Sequence, residues 1–247
     1  MNGTQGRIRA VFFDAAGTLF SVARPVAEIY LELATSHGFR PKPDAVVALK
    51  AAFQRAMQDA PPPVFLVDDP SEIKRCERLW WFDVVHNVFY RVGMFDRFDD
   101  FFEEVFHRFD GPEFWRLYPE TVALLDLLRT RGLELGIVSN FDSRLFNVLR
   151  GLSLAERFDT VTISSLARAA KPAPGIFRWA LEQHALDPEE ALHVGDSLRE
   201  DAEGAHKAGL TGVWLDRGGH AMERHDGTAV VRITSLNELP AVLDRMG

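Results

Sequence analysis

Three rhythms of apolar residues succeed one another along this chain. IRAVFF, residues 8–13, is a short, mostly apolar run of buried-strand length, and it stops at Asp14 before a turn through Gly17 and Thr18. From about residue 22 to residue 115 the strand pattern vanishes, and apolar positions recur three and four residues apart, as on one face of a helix. PVAEIYLELATSHG predicts a helix with Pro25 in its first turn and Gly38 as its stop. PDAVVALKAAFQRAMQ predicts a second, with Asp44 as N-cap, and PSEIKRCERLWWFDVVHNVFYRVG a third, capped by Ser71 and ended by Gly93. MFDRFDDFFEEVFHRF predicts a fourth, and DAPPPVFLVDDP a proline-stiffened connection within the bundle. Twelve of the nineteen phenylalanines fall in this stretch, enough to fill the core of a small helical bundle with large side chains. A hydrophobic substrate or partner surface is the alternative use for them.

The third rhythm begins near residue 117 and alternates strands with helices. PETVALLDLLRTRG reads as a helix and LELGIVSN as the strand after it; FDTVTISS, ALHVGD and GVWLD are further strands. PGIFRWALEQHA and REDAEGAHKAG are the helices between them, and AVVRITS and LNELPAVLDRM supply a last strand and helix. Such alternation predicts an α/β fold with a doubly wound parallel sheet, whose ligands sit beyond the carboxyl ends of the strands. The first strand belongs to that sheet. Residues 1–21 and 116–247 are therefore expected to form the α/β core, with residues 22–115 inserted as a helical unit.

Composition narrows the function without naming it. Of 247 residues, 47% are hydrophobic and 26% charged, the balance of a soluble globular protein. A net charge of −8, with neither a basic balance nor a basic run, argues against a nucleic-acid partner. No apolar stretch is long enough to span a bilayer, and MNGTQGRIRA lacks the apolar core of a signal peptide. The single cysteine, Cys76, excludes an intrachain disulfide and fits a reducing compartment, so a cytoplasmic location is expected. A monomer and a homodimer are both compatible with the chain.

The candidate chemistry lies at strand ends. Asp14, Ser139 with Asn140, and Asp196 end three predicted strands, while Lys171 sits in a loop before a helix. Each alone reads as a turn former, a cap or a solvated loop residue, and Asp201 as a complement to a helix macrodipole. Together they are a constellation, and FFDAAGTLF, IVSN, KPAPGIF and HVGDSLREDAEGA resemble the four motifs of the haloacid dehalogenase superfamily. The resemblance covers nearly the whole chain, and the inserted helices look like the four-helix cap of its subfamily I. It implies that Asp14 is the nucleophile of a phosphatase-like hydrolase acting on a small phosphorylated metabolite. It further implies Mg²⁺ held by Asp14, Asp196 and the backbone carbonyl of Ala16, with Asp201 supporting the site. Thr18, Ser139, Asn140 and Lys171 would surround the transferring phosphoryl group.

Elementary electrostatics reaches a similar assignment. Three carboxylates at one sheet edge raise one another's pKa values unless a cation neutralises them, and all-oxygen ligation suits Mg²⁺. A carboxylate attacks an anionic phosphate only if cations such as Mg²⁺ and Lys171 screen the repulsion, and the product is an aspartyl-phosphate.

Ala16 departs from this pattern. Phosphatases of the superfamily usually carry a second aspartate there, which protonates the leaving alcohol, help worth about 10²–10⁴-fold in rate. Four readings follow. The first is a slowed or specialised phosphatase, with His37, Glu28 or Lys50 as conceivable replacement donors. The second is phosphonoacetaldehyde-hydrolase-like C–P cleavage, since those enzymes resemble this first motif including the alanine; Lys50, Lys42 or Lys74 would form the Schiff base. Dehalogenation, the third, is disfavoured by Asp196. The fourth is a phosphate-ligand-binding or regulatory protein without turnover. His193 reads as a buried strand residue with a satisfied ring, and His220 with His225 as a remote candidate metal pair in a surface loop.

Overall fold

The computed structural model describes residues 8–219 and 230–246. Strands β1 (Ala10–Phe13), β4 (Glu134–Ser139), β5 (Thr160–Ile163), β6 (Ala191–Gly195), β7 (Thr211–Leu215) and β8 (Val231–Ile233) form one six-stranded sheet in the order β5-β4-β1-β6-β7-β8. Every neighbouring pair is parallel. Such a sheet is covered on both faces, and the sequence supplies apolar residues for each. In β1, Val11 and Phe13 join one core with Leu125, Ile137 and Leu149, while Ala10 and Phe12 join another with Ile176, Phe177 and Leu181.

Helices α5 (Thr121–Thr130), α6 (Leu145–Gly151) and α10 (Leu239–Asp244) contribute to the first layer. Helices α7 (Ser164–Ala167), α8 (Pro174–His184) and α9 (Gly204–Lys207) contribute to the second. Strand β1 lies between β4 and β6, so the chain moves outward on either side of it. That reversal makes a crevice at the carboxyl ends of these three strands.

Between β1 and β4 runs an excursion framed by a two-stranded antiparallel ribbon, β2 (Phe20–Val22) and β3 (Trp115–Leu117). The sequence rhythm missed this ribbon, because three residues are too few to display a period. Helices α1 (Val26–Ser36), α2 (Ala45–Asp59), α3 (Pro70–Val92) and α4 (Phe98–Arg108) follow β2 and share a separate core. That core is aromatic: Phe89 packs on Phe101 with ring centroids 4.9 Å apart, and Phe82 on Phe102 at 5.0 Å.

Two caps differ from expectation. Asp69, not Ser71, caps α3: its Oδ1 accepts from the backbone N–H groups of Ser71 (2.8 Å) and Glu72 (3.1 Å), because Pro70 occupies the first helical position. Asp44 precedes α2 without a side-chain cap bond.

Candidate active site

Strand β1 ends just before Asp14, whose N–H donates to the Val194 carbonyl at 2.9 Å, so the sheet itself sets the position of this aspartate. The chain then turns tightly. Gly17 has φ +94°, and a Cβ there would lie 2.3 Å from Asp196 Oδ2; only glycine lets the two loops close on each other. From β4, Ser139 Oγ donates to Asp14 Oδ1 at 3.0 Å, and Thr18 Oγ1 stands 3.5 Å from Asp14 Oδ2. Lys171, in the loop before α8, is buried and reaches both Asp14 Oδ1 (2.7 Å) and Asp201 Oδ1 (2.5 Å). Asn140 fixes that loop: its Nδ2 donates to the Lys171 carbonyl at 3.0 Å and its Oδ1 accepts from the Lys171 N–H at 2.8 Å.

From β6 come Asp196 and, within the π-helical turn Leu198–Glu203, Asp201. Asp201 is buried rather than serving a helix dipole at the surface. Its Oδ2 accepts from the Ser197 N–H at 2.9 Å, and its Oδ1 lies 3.0 Å from His193 Nε2. Gly195 admits it, since a Cβ there would fall 2.1 Å from the Asp201 Cγ. His193 is only half satisfied, because its buried Nδ1 has no partner.

Charge controls this cluster. Burial pulls the Lys171 ammonium down, but Asp14 and Asp201 outweigh that and hold it well above its ordinary value. Burial pushes Asp201 up, yet Lys171 and His193 more than reverse it and keep the carboxylate charged. Burial lowers His193, which favours the neutral ring. Asp196, at the open rim, has no such partner: desolvation of its carboxylate, then the charges of Asp14 and Asp201, push it up to about 7. One positive side chain therefore faces three acids, and the remaining negative charge collects beside Asp196.

That imbalance is what a hard cation would correct. One carboxylate oxygen from each of Asp14, Asp196 and Asp201 lies within 4.8 Å of the others, and the glycines at 17 and 195 keep the cradle free of carbon. The donor set therefore fits a divalent cation of the Mg²⁺ type. Ala16 lies at the same loop and lines the cavity above Asp14.

The cavity encloses about 330 Å³ and runs from the acid cluster into the helical unit. Asp14, Ala16, Ser139, Asn140, Lys171, Asp196 and Asp201 all line it. The cap donors considered from sequence do not. Glu28, Lys50 and Lys74 are exposed on the outside of the helices, Lys42 is exposed in the connection between α1 and α2, and His37 pairs with Glu104 at 2.7 Å. His220 and His225 lie outside the described residues.

A joint between helices and core also escaped the sequence reading. Glu77 on α3 accepts from the Ser143 N–H (3.0 Å) and Oγ (2.9 Å) and from Ser165 Oγ (2.5 Å). Nearby, Trp81 Nε1 donates to Asp142 Oδ2 at 2.5 Å, and Asp142 in turn holds Arg144 through two bonds of 2.9 and 2.6 Å. A Glu on a predicted helix carries no sequence signal that would assign it to such a contact.

An aspartate ending one strand, a serine ending the next, a buried lysine and an acidic pair under a helical insertion are the arrangement to compare with known proteins. The family model for haloacid dehalogenase-like hydrolases matches residues 8–209, and the chain belongs to that family. It is 32% identical over 240 residues to haloacid dehalogenase-like hydrolase domain-containing protein 3 of Danio rerio, covering 96% of each chain. Among solved structures it resembles a phosphatase of the family from Thermococcus onnurineus (26% identity, TM-score 0.66, 96% of this chain and 98% of that one). A 2-haloacid dehalogenase from Pseudomonas syringae is equally similar (26% identity, TM-score 0.65, covering 97% and 100%). The fold is thus shared by both chemistries, and the site residues must distinguish them. Among the described residues, no helix is long and apolar enough to cross a membrane.

Proposed function

We propose that this protein is a phosphatase-like hydrolase that uses Mg²⁺ and transfers a phosphoryl group to Asp14. The observation that carries the reading is the setting of the Asp14 carboxylate, at the floor of a cavity and beside an acid cluster that a dehalogenation would not require. Ser139 and Lys171 both bond its Oδ1, which orients the carboxylate and leaves Oδ2 with only the long Thr18 contact. Oδ2 is then the atom free to attack phosphorus in line. A bound Mg²⁺ screens the repulsion between carboxylate and phosphoryl oxygens.

The chain's own residues supply the rest. Lys171 offers positive charge beside the nucleophile, and Asn140 keeps its backbone in place, while Asp201, itself bonded to His193, holds its ammonium. Attack forms the Asp14–phosphorus bond and breaks the bond to the leaving oxygen; water then attacks the same phosphorus and restores the carboxylate. Ala16 supplies no proton to the departing oxygen, so turnover is slow for ordinary alcohol leaving groups. The single cysteine is consistent with work in the cytoplasm.

Hydrolysis of p-nitrophenyl phosphate with Mg²⁺ tests the reading. Turnover should be abolished by Asp14→Asn and by chelation, and Ala16→Asp should raise the rate on alkyl phosphates. Persistent Mg²⁺-dependent binding of phosphate ligands with no turnover of any ester would instead identify a non-catalytic binding protein.

A further inference from the structure

Resting on the phosphatase reading, we infer that the substrate is the phosphate monoester of an uncharged, phenol-like alcohol, seated with its ring in the helical half of the cavity. Two independent observations meet in this assignment. The first concerns the leaving group. The residue above the nucleophile is Ala16, and the side chains that line the helical half include no carboxyl, imidazole or amine. A phenolate departs without being protonated, whereas an alkoxide of an ordinary alcohol does not.

The second concerns the wall that would receive the alcohol. It is built from Val26, Val85, Phe102, Val105 and Phe106, with Tyr30 among them. Arg144 is the only charged residue at that end, and it is neutralised: Asp142 takes two of its nitrogens, and a third donates to the Phe106 carbonyl at 3.2 Å. A substrate ammonium would therefore be buried there without an anionic partner, and a carboxylate would have to compete with Asp142 for Arg144, at a loss of affinity in either case.

Tyr30 adds a hydroxyl to this wall, where the indole N–H groups of Trp81 and Trp115 are already bonded to the protein. The Tyr30 side chain is buried and makes no hydrogen bond among the described residues; burial raises its hydroxyl above the ordinary phenol range, and the charge of Arg144 offsets this only in part. The hydroxyl is thus a donor awaiting one polar atom of the ligand. The size agrees as well. A cavity of roughly 150 Å³ holds one benzene ring, so a total of 330 Å³ accommodates an aromatic ring together with a phosphoryl group.

The reaction balances with water as sole co-reactant. Asp14 Oδ2 bonds phosphorus as the phosphorus–aryl oxygen bond breaks, and the electron pair leaves on the phenolate. Water oxygen then bonds phosphorus, the Asp14–phosphorus bond breaks, and the water protons end on inorganic phosphate and, through solvent, on the phenolate.

A substrate series tests this with Mg²⁺ present. Phenyl and p-methylphenyl phosphates should exceed 2-phenylethyl phosphate, which is apolar but has a poor leaving group, by about 100-fold or more in kcat/KM. They should also exceed 4-carboxyphenyl phosphate, a good leaving group bearing a charge, and phosphoserine, by at least about tenfold. Tyr30→Phe should lower kcat/KM for an aryl phosphate carrying a distal hydroxyl by about 3- to 10-fold, leaving p-methylphenyl phosphate little changed. Equal turnover of alkyl and aryl esters overturns the inference. So does efficient alkyl turnover that Glu200→Gln abolishes, which would make that cavity-rim carboxyl the acid.

Binding separates this inference from the phosphatase reading. If no ester is hydrolysed, that reading fails, while calorimetry with phenylphosphonate and methylphosphonate still judges the pocket. Phenylphosphonate should bind at least about tenfold more tightly, and Val85→Glu should erase the difference. Equal affinities would sink the assignment of the cavity.

Discussion

At the core end of the cavity three carboxylates offer oxygens within 4.8 Å of one another, and one ammonium bonds two of them. The helical end is walled mainly by valines and aromatic rings, with the Tyr30 hydroxyl and the ion-paired Arg144 among them. The two ends obey different physics. Electrostatic contacts of the first kind depend on tenths of an ångström and on which groups are charged, so single atoms matter. Apolar contacts of the second kind scale with area and volume, and they tolerate exchange of one hydrophobic side chain for another. The core end therefore defines a reaction, and the helical end selects what undergoes it.

The comparison is most severely tested at Lys171. Replacing it by Met keeps much of the volume but strands Asp14 and Asp201 as buried, unpaired anions. Turnover should fall by about 10³-fold or more, and stability by about 3–5 kcal/mol. Because the excess negative charge is what a cation neutralises, Mg²⁺ should restore more of the lost Tm in Lys171→Met than it adds to the wild type. Thermal denaturation with and without Mg²⁺ reads this directly. An equal Mg²⁺ increment in both proteins would show that Lys171 and the cation do not share the same charges.

Gly17→Ala should have a smaller effect, confined to one ligand. The added carbon meets the Asp196 carboxylate at a distance no pair of atoms sustains, and φ +94° is unfavourable for alanine. Asp196 must then move, weakening cation binding and cutting turnover by about 100-fold, with partial recovery at high Mg²⁺. A one-carbon change at the helical end, Val105→Ile, should alter kcat/KM by no more than a few fold. If the two substitutions act equally, the contrast between the ends is false.

These contrasts also explain what could be read from the sequence. The core end was legible because strands place their last residues at one edge, so Asp14, Ser139 and Asp196, each ambiguous alone, read together as a constellation. Gly17 was legible only as part of a turn; that a carboxylate passes close to it and to Gly195 shows in the structure alone. The interior of the helical unit was not legible. Periodicity shows that Phe102, Val105 and Phe106 face inward, yet whether they fill a core or wall a cavity depends on how four helices cross. Phe101, fully buried among other rings of the bundle, and Phe106, on the cavity, share one helix and one residue type. The cap residues proposed as proton donors failed for a related reason. Lys50 and Glu28 are suitable chemically, but they project from the outer faces of α2 and α1.

Glu77 joins the two regions, and it gives the finest test because its chemistry belongs to neither end. Three donors converge on its Oε1, while burial, reinforced by the charge of Asp142, raises its carboxyl above the ordinary range. Glu77→Ala leaves two serine hydroxyls and one N–H without an acceptor and should cost about 1–3 kcal/mol. Glu77→Gln keeps the acceptor oxygen and removes the buried charge, so it should cost much less. The sign of its pH dependence follows from linkage. A carboxyl whose folded pKa is raised binds more protons folded than unfolded, so the wild type loses stability as pH climbs from its unfolded value through the folded one. Glutamine has no such loss. The Tm of Glu77→Gln relative to wild type should therefore rise as pH climbs through and above the ordinary carboxylate range, the direction set by the upward shift of this group. A difference that stays flat over that range would mean that Glu77 is no less charged in the joint than in the unfolded chain. The helical unit would then be held to the core by an ion acceptor, and not by a carboxyl that its surroundings press toward neutrality.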